Sequence, residues 1–150
     1  MLRFLQRFFS FGPRVAADAG GCGERLAADW LQRERRFVLV TRNWRSPRDR
    51  RLEIDLVCRD GEALVFVEVK ARSADALVPG YHAIDRRKKR ALRRAIEAYL
   101  VRLSEKPRTF RFDVVEVSFP LAAPDSNAAT VEPQVLHFEN VPLFSKHFRA

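Results

Sequence analysis

Short apolar runs separated by turn residues predict five β-strands. The third run is apolar at nearly every position, which is typical of a central strand that is buried on both faces of a sheet. Asp60-Gly61 precedes this run and is a typical hairpin turn. The predicted strands cover residues 37–40, 52–59, 64–70, 110–117 and 135–138.

Apolar residues at helical spacing predict two helices. The first begins at or just after residues 20–23, which include three glycines, and it places Glu24 in its first turn, where the helix dipole favours a carboxylate. The second covers about residues 84–103 and carries a continuous apolar stripe on which Lys88 also lies. Because this helix connects the third and fourth strands, those strands should be parallel. The sequence therefore predicts an α/β domain with a mixed β-sheet flanked by helices.

The length of 150 residues fits one domain, which we assign to residues 20–150. Residues 1–19 form a basic, aromatic N-terminal arm. The arm is either loosely ordered or a short amphipathic helix that could contact a membrane, nucleic acid or a second copy of the chain in a homodimer. No run approaches the roughly 20 apolar residues of a membrane span, so we expect no transmembrane segment.

The charge balance favours a polyanionic partner. Lys and Arg number 28 against 19 Asp and Glu, which gives a net charge of +9. Nucleic acid is the commonest polyanion that such a protein meets, although a basic surface that only maintains solubility would have the same composition. The two cysteines, Cys22 and Cys58, have no metal-ligand spacing and fit a reducing cytoplasm.

Three charged residues on the second and third strands are the strongest sign of chemistry. Glu68 and Lys70 share one face of the third strand, and valines fill the other face. Asp55 lies on the second strand, and twelve residues separate it from Glu68. Counted from Asp60-Gly61, the two carboxylates lie near each other but not directly opposite, so a bulge or a longer loop would adjust the match.

Two carboxylates at the edge of a buried sheet are costly unless they pair or hold a cation. Mg²⁺ takes one or two carboxylates together with a substrate phosphate, and Mn²⁺ accepts the same oxygen ligands. We therefore expect a site for Mg²⁺ or Mn²⁺ at Asp55 and Glu68, with Lys70 beside it. The alternative is a strand-end ion pair between Glu68 and Lys70 and an edge polar residue at Asp55.

This spacing resembles the PD-(D/E)-x-K nuclease superfamily, which has the restriction-endonuclease-like fold. More closely, the chain resembles the YraN-like family, whose fold is similar to that of archaeal Holliday junction resolvases. The resemblance covers about residues 20–138. The segments that carry it are Gly23-Glu24, Arg42-Asn43-Trp44-Arg45, Glu53-Ile54-Asp55-Leu56-Val57, Val65-Phe66-Val67-Glu68-Val69-Lys70-Ala71-Arg72, Lys88 and Arg111-Phe112-Asp113-Val114-Val115.

The resemblance implies roles for five residues. Asp55 and Glu68 would be metal ligands, and Lys70 would be the catalytic lysine. Glu24 would be a further acidic residue of the catalytic and metal site, reaching in from the first helix. Lys88 matches a lysine that the family carries on its second helix, which would serve catalysis and nucleic-acid binding.

The chain departs from these motifs at two positions. Leu52 stands where the family usually has Gly before the Glu of its Glu-Ile-Asp motif. Ile54 replaces the proline that the superfamily has before its first Asp. Members of the fold can also keep such residues for binding alone.

Several basic residues flank the predicted site and fit a nucleic-acid groove. Arg42, Arg45 and Arg72 should lie near the acidic cluster, where they would contact phosphates together with Lys88. Trp44 could stack on a base, although a core position suits it better. Asp113 suits a structural role, and the three histidines show no metal spacing, so no role is assigned to them.

Three functions are compatible with these features. The first is a Mg²⁺-dependent endonuclease that hydrolyses DNA, including branched forms, whose substrate geometry rests on the resemblance. The second is a nucleic-acid-binding module of the same fold with little or no hydrolytic activity. The third is an interaction protein whose basic face meets an acidic partner or a membrane.

Overall fold

The computed structural model describes residues 19–73, 84–119 and 132–144. All but the last residue of the predicted N-terminal arm and most of the two predicted long loops lie outside these ranges. Helices and strands follow one another as predicted, which confirms the α/β class. The elements are α1 (Ala19–Glu34), β1 (Val38–Arg45), β2 (Glu53–Asp60), β3 (Ala63–Ser73), α2 (Arg86–Val101), β4 (Thr109–Phe119) and β5 (Gln134–Phe138).

In the part of the chain that the structure describes, one five-stranded sheet has the spatial order β1-β2-β3-β4-β5. β3 and β4 pair in parallel, as predicted for strands joined by a helix, and the other neighbouring pairs are antiparallel. β3 is therefore the central strand of a mixed sheet. Within the described residues, no helix is long and apolar enough to cross a membrane.

Each face of the sheet packs against one helix. The face covered by α2, here called the α2 face, includes Phe66 of β3 and Phe112 of β4. The face covered by α1, here called the α1 face, includes Val65 and Val67 of β3 and Leu31 of the helix. Both layers exclude water from β3, which explains its nearly continuous apolar sequence.

The β2–β3 hairpin turns one residue later than its sequence indicated. Asp60 pairs with Ala63, so the two turn residues are Gly61 and Glu62 rather than Asp60 and Gly61. Gly61 has a φ of 57°, a conformation that favours glycine. The pairing runs without a bulge from this turn to Leu56 and Val67, so the predicted bulge is not needed.

The first helix begins earlier than expected and contains the glycines of residues 20–23. Gly23 is buried, and a Cβ atom at this position would lie 2.9 Å from the Cβ of Ala71 on β3. Glycine is thus used here for close helix–sheet packing rather than as a flexible break. Glu24 is not in the first turn of the helix, which contains no acidic residue, so the predicted dipole stabilisation of Glu24 is wrong.

β1 continues to Arg45 instead of ending at Val40, and the predicted basic turn is correspondingly shorter. Trp44 packs edge-to-face on Tyr99 with ring centroids 5.2 Å apart, so it belongs to the core of the α2 face. Leu52, at the position where the family usually has glycine, is also buried there. Its carbonyl accepts a hydrogen bond from the Ser46 amide at 3.0 Å, which closes the β1–β2 loop.

Candidate catalytic and metal site

Asp55 and Glu68 occupy neighbouring strands at the end of the β2–β3 ladder. The register places Leu56 opposite Val67, and one further step along it would pair Asp55 with Glu68. The ladder ends there, and Oδ2 of Asp55 accepts a hydrogen bond from the Val69 amide at 2.8 Å. Alternation from Phe66 puts Glu68 on the α2 face, and the register of the hairpin brings Asp55 beside it. This corrected register makes them closer neighbours than the sequence count indicated.

Glu68 is the buried centre of the site, with a side chain that is only 3% exposed. Its Oε1 accepts from the ammonium of Lys70 at 2.7 Å and lies 3.1 Å from the ammonium of Lys88. Its Oε2 is buried and has no hydrogen-bond partner among the described residues. A buried carboxylate oxygen without a partner is costly and leaves room for a cation or a hydrogen-bond donor.

The environment of Asp55 disfavours its charged form. Burial is the main cause that raises the pKa of Asp55, and the negative charge of Glu68 adds to it. The amide of Val69 and the charge of Lys88 act in the opposite direction, and the pKa settles at about 7. Asp55 therefore ionises only near neutral pH, and a cation bound to its carboxylate would favour the charged form.

Lys88 reaches the site from α2, as the apolar stripe of that helix predicted. Asp85 is the N-cap of α2, and its carboxylate accepts from the Lys88 amide at 2.7 Å, which fixes the first turn. Burial alone would lower the pKa of the Lys88 ammonium, but the carboxylates of Glu68, Asp55 and Glu53 together outweigh this effect and raise it. Lys88 is therefore a charged member of the site. We call Asp55, Glu68, Lys70 and Lys88 the charged cluster.

Glu24 lies beside this cluster rather than within a ligand group. It lines a surface pocket of α1 and β1 together with Arg42 and Asn43. Its charge slightly raises the pKa of Asp55, so it is within electrostatic reach. In the described ranges no three or more His, Cys, Asp or Glu side chains are grouped to hold a metal. The role of Glu24 as a third ligand stays a prediction.

The three predicted nucleic-acid-binding arginines occupy different positions around the site. Arg42 is exposed on β1 in the pocket with Glu24. Arg45 is exposed and pairs with Glu53 at 3.2 Å. Arg72 is half-buried on β3, two residues after Lys70 and on the same face of that strand. All three flank the end of the sheet that carries the charged cluster.

Glu116 is a buried carboxylate that the sequence analysis did not single out. It lies on β4 in register with Lys70 of β3 and is 7% exposed. Alternation from Phe112 and Val114 places it on the α2 face. An acidic residue inside the apolar segment of residues 112–117 was the available signal, but only the parallel register brings it beside Lys70.

A second polar network lies on the α1 face and was missed by spacing arguments. Asp113 is fully buried. Its carboxylate accepts hydrogen bonds from the Arg111 guanidinium at 3.0 Å and from the Asn140 amide at 2.8 Å, and it lies 2.9 Å from Nε2 of His137. Burial alone would raise the pKa of Asp113, but these hydrogen bonds hold it below its usual value. His137 packs edge-to-face on Phe37, so the network joins β4, β5 and the residue before β1. Its position indicates a structural role, as expected for Asp113.

Comparison with known proteins places the chain among bacterial relatives. The model of the uncharacterised protein family UPF0102 matches residues 23–117. A UPF0102 protein of Beutenbergia cavernae is 48% identical over 103 residues, which cover 68% of this chain and 84% of that protein. One from Anaeromyxobacter dehalogenans is 40% identical over 116 residues, or 77% of each chain. The matched region contains the whole charged cluster.

Proposed function

The chain belongs to the uncharacterised protein family UPF0102. From its charged cluster we propose that it is a divalent-metal-dependent endonuclease that hydrolyses phosphodiester bonds in DNA. The observation that carries the proposal is Oε2 of Glu68, which is buried beside the carboxylate of Asp55 and has no hydrogen-bond partner in the described part of the chain. Oxygen ligands of this kind are those that Mg²⁺ and Mn²⁺ prefer. Asp55 and Glu68 would hold the ion, and Glu24 would assist from α1.

Charge counting supports joint binding of metal and substrate. With both carboxylates ionised, the two lysines of the charged cluster neutralise them. A divalent cation would therefore leave an excess of positive charge, which a phosphodiester would offset in part. We expect metal affinity to be low in the free protein and higher with DNA present.

The lysines have roles that do not depend on the ion. The Lys70 side chain is 25% exposed and the Lys88 side chain is 32% exposed, so both can leave Glu68 partly and donate to a phosphate oxygen. Donors aimed at a phosphate stabilise the negative charge that develops in the transition state. A bound Mg²⁺ or Mn²⁺ would lower the pKa of a water molecule and polarise the phosphate.

Cleavage of a DNA panel tests the proposal. Linear, flap and four-way-junction DNAs are incubated with Mg²⁺, Mn²⁺ or a chelator, which also tests the proposed action on branched DNA. The expected result is cleavage that requires metal and is abolished in Asp55→Asn and Lys70→Met. Asp60→Asn is the matched control, because Asp60 lies on the same strand and pairs with Arg111 at 2.9 Å. Metal-independent cleavage, or full activity of Asp55→Asn, would contradict the proposal.

A nucleic-acid-binding module without turnover is the second candidate. The neutralisation of both carboxylates by lysine favours it, because a site that is already neutral attracts a divalent cation less strongly. In that case the same DNA panel would show binding that weakens steeply with salt but no cleavage under any metal. Both candidate functions include a cytoplasmic location, because Cys22 and Cys58 are free thiols, as is usual in a reducing compartment.

A further inference from the structure

The outward surface of α2 carries an unusual concentration of positive charge. Five arginines in its first nine residues are exposed, and we call them the α2 arginine face. Among the described residues, only Arg94 of this face has a carboxylate partner, Asp49 at 3.9 Å. The members of the face are Arg86, Arg87, Arg90, Arg93 and Arg94.

This arrangement does not favour the helix itself. Arg86 and Arg90 are four residues apart, as are Arg90 and Arg94, and each such like-charged pair costs about 0.2–0.5 kcal/mol. Basic residues in the first turn also oppose the helix dipole, and the carboxylate of the N-cap residue Asp85 offsets them only in part. A helix that keeps this charge despite its cost is typical of a surface that meets a polyanion.

The α2 arginine face is continuous with the charged cluster. A shallow groove between α2 and the β1–β2 loop is lined by Arg87, Arg90 and Arg94, by Arg51 of the loop and by Lys88. Lys88 is also the residue that contacts Glu68, so the groove leads directly to the candidate site. The carboxylates of Asp49 and Asp85 also line it, but they are engaged by Arg51 and by the Lys88 amide.

The spacing of the face suits a nucleic-acid backbone. At 1.5 Å per residue, Arg86 and Arg94 are separated by about 12 Å along the helix axis. Phosphates of one DNA strand advance by about 3.4 Å along the duplex axis, so a duplex parallel to α2 would present about three of them to the face. Arginine is well suited to phosphate contacts because its guanidinium offers several donors in a fixed plane.

We infer that the α2 arginine face binds the phosphate backbone of nucleic acid and guides it past Lys88 into the charged cluster. The inference takes its partner class from the proposed function, but it does not require hydrolysis. It assigns the main electrostatic contacts to α2 rather than to the arginines of β1 and β3.

Neutralisation of the face tests the inference. Arg86→Gln, Arg90→Gln and Arg93→Gln are combined in one variant, and Arg33→Gln, Arg59→Gln and Arg108→Gln are combined in the control. Each variant removes three positive charges, but the control residues lie on α1, on β2 and before β4, away from the first half of α2. Duplex and single-stranded DNA binding is measured over a range of salt concentrations with chelator present, so that cleavage does not interfere.

The expected result is a reduction of DNA affinity by about tenfold or more in the α2 variant. The slope of its salt dependence should become shallower by roughly one for each phosphate that the variant no longer binds. The control should change affinity much less. The α2 variant should melt at the same or a higher temperature than the wild type, since like charges are removed, so unfolding cannot explain the weaker binding. Equal reductions in both variants, or none in the α2 variant, would overturn the inference.

The same variants separate this inference from the proposed hydrolysis. Metal-dependent cleavage with unchanged DNA binding of the α2 variant overturns the inference alone. If the α2 variant binds DNA more weakly and the wild-type protein cleaves no DNA, the result supports the inference and contradicts the proposed hydrolysis. Vesicles with anionic lipid form a third arm, and an α2-dependent affinity for them that exceeds the affinity for DNA overturns the assignment to nucleic acid.

Discussion

The ammonium of Lys88 on α2 lies 3.1 Å from a carboxylate oxygen of Glu68 on β3. The neighbouring residues at positions 86, 87, 89 and 90 are also basic, but none of them forms an ion pair with Glu68 among the described contacts. One turn of helix thus presents a lysine to a buried carboxylate and arginines to solvent. This ion pair holds the first turn of α2 against the buried carboxylate of Glu68 in the sheet. It also places a candidate catalytic residue and the α2 arginine face on the same structural element.

Lys88→Met should weaken DNA binding with little effect on stability. Methionine keeps much of the apolar stem, and Lys70 still neutralises Glu68, so we expect a destabilisation on the order of 1 kcal/mol. Removal of a charge that reaches the site should lower DNA affinity and reduce the slope of the salt dependence by about one. Filter binding across salt concentrations measures both effects. Unchanged affinity and salt dependence would show that Lys88 serves packing alone.

Asp55→Asn should stabilise the protein more at alkaline than at acidic pH. The pKa of Asp55 is about 7 in the folded chain against 3.8 ordinarily, so its ionisation opposes folding as pH rises through this interval. One pKa unit corresponds to about 1.4 kcal/mol, and asparagine can still accept from the Val69 amide. We expect a gain on the order of 1–3 kcal/mol at pH 8 and little gain at pH 4.

Thermal melting of both proteins at several pH values, without divalent metal, measures this difference. The matched control is again Asp60→Asn, which should show no such pH-dependent gain. A difference that is constant with pH, or that grows towards acid, would contradict the raised pKa.

Asp113→Asn should destabilise the fold without an effect specific to DNA cleavage. The substitution removes the charge that Arg111 and His137 bond inside the core, and we expect a destabilisation of about 2–4 kcal/mol at pH 7. Because the pKa of Asp113 is lowered, its contribution is present above the ordinary value of 3.8 and fades as the pH falls below it. Urea unfolding from neutral to acidic pH measures the effect. A cleavage defect in a fully folded variant would instead assign Asp113 to the chemistry.

Gly23→Ala should destabilise the packing of α1 on β3. Alanine normally favours a helix over glycine by about 1 kcal/mol, but here its Cβ would meet the Cβ of Ala71, and neither atom can rotate away. We expect a net destabilisation of about 1–2 kcal/mol. Ala71→Gly should partly relieve the clash, so a double-mutant cycle should give a coupling of about 1 kcal/mol. Additive effects would show that α1 does not pack this closely.

Much of the fold follows from local sequence. The apolar run of β3 and the amphipathic stripe of α2 predict a central strand and a crossover helix, and hence the parallel pairing of β3 with β4. The ends of the helices and strands were less predictable from the sequence. Tertiary packing overrides the low helix propensity of glycine at Gly23, since the helix needs a residue without a side chain where it meets Ala71.

In the site, the shared face of Glu68 and Lys70 and the inward position of Lys88 follow from local sequence, because they depend only on the periods of strand and helix. By contrast, the approach of Asp55 to Glu68 depends on the folded hairpin, since a shift of the turn by one residue changes the register of the two strands. The same holds for Glu116 beside Lys70 and for Asp113 with His137. Those contacts join residues distant in sequence, and only the pairing of β4 with its neighbours brings them together.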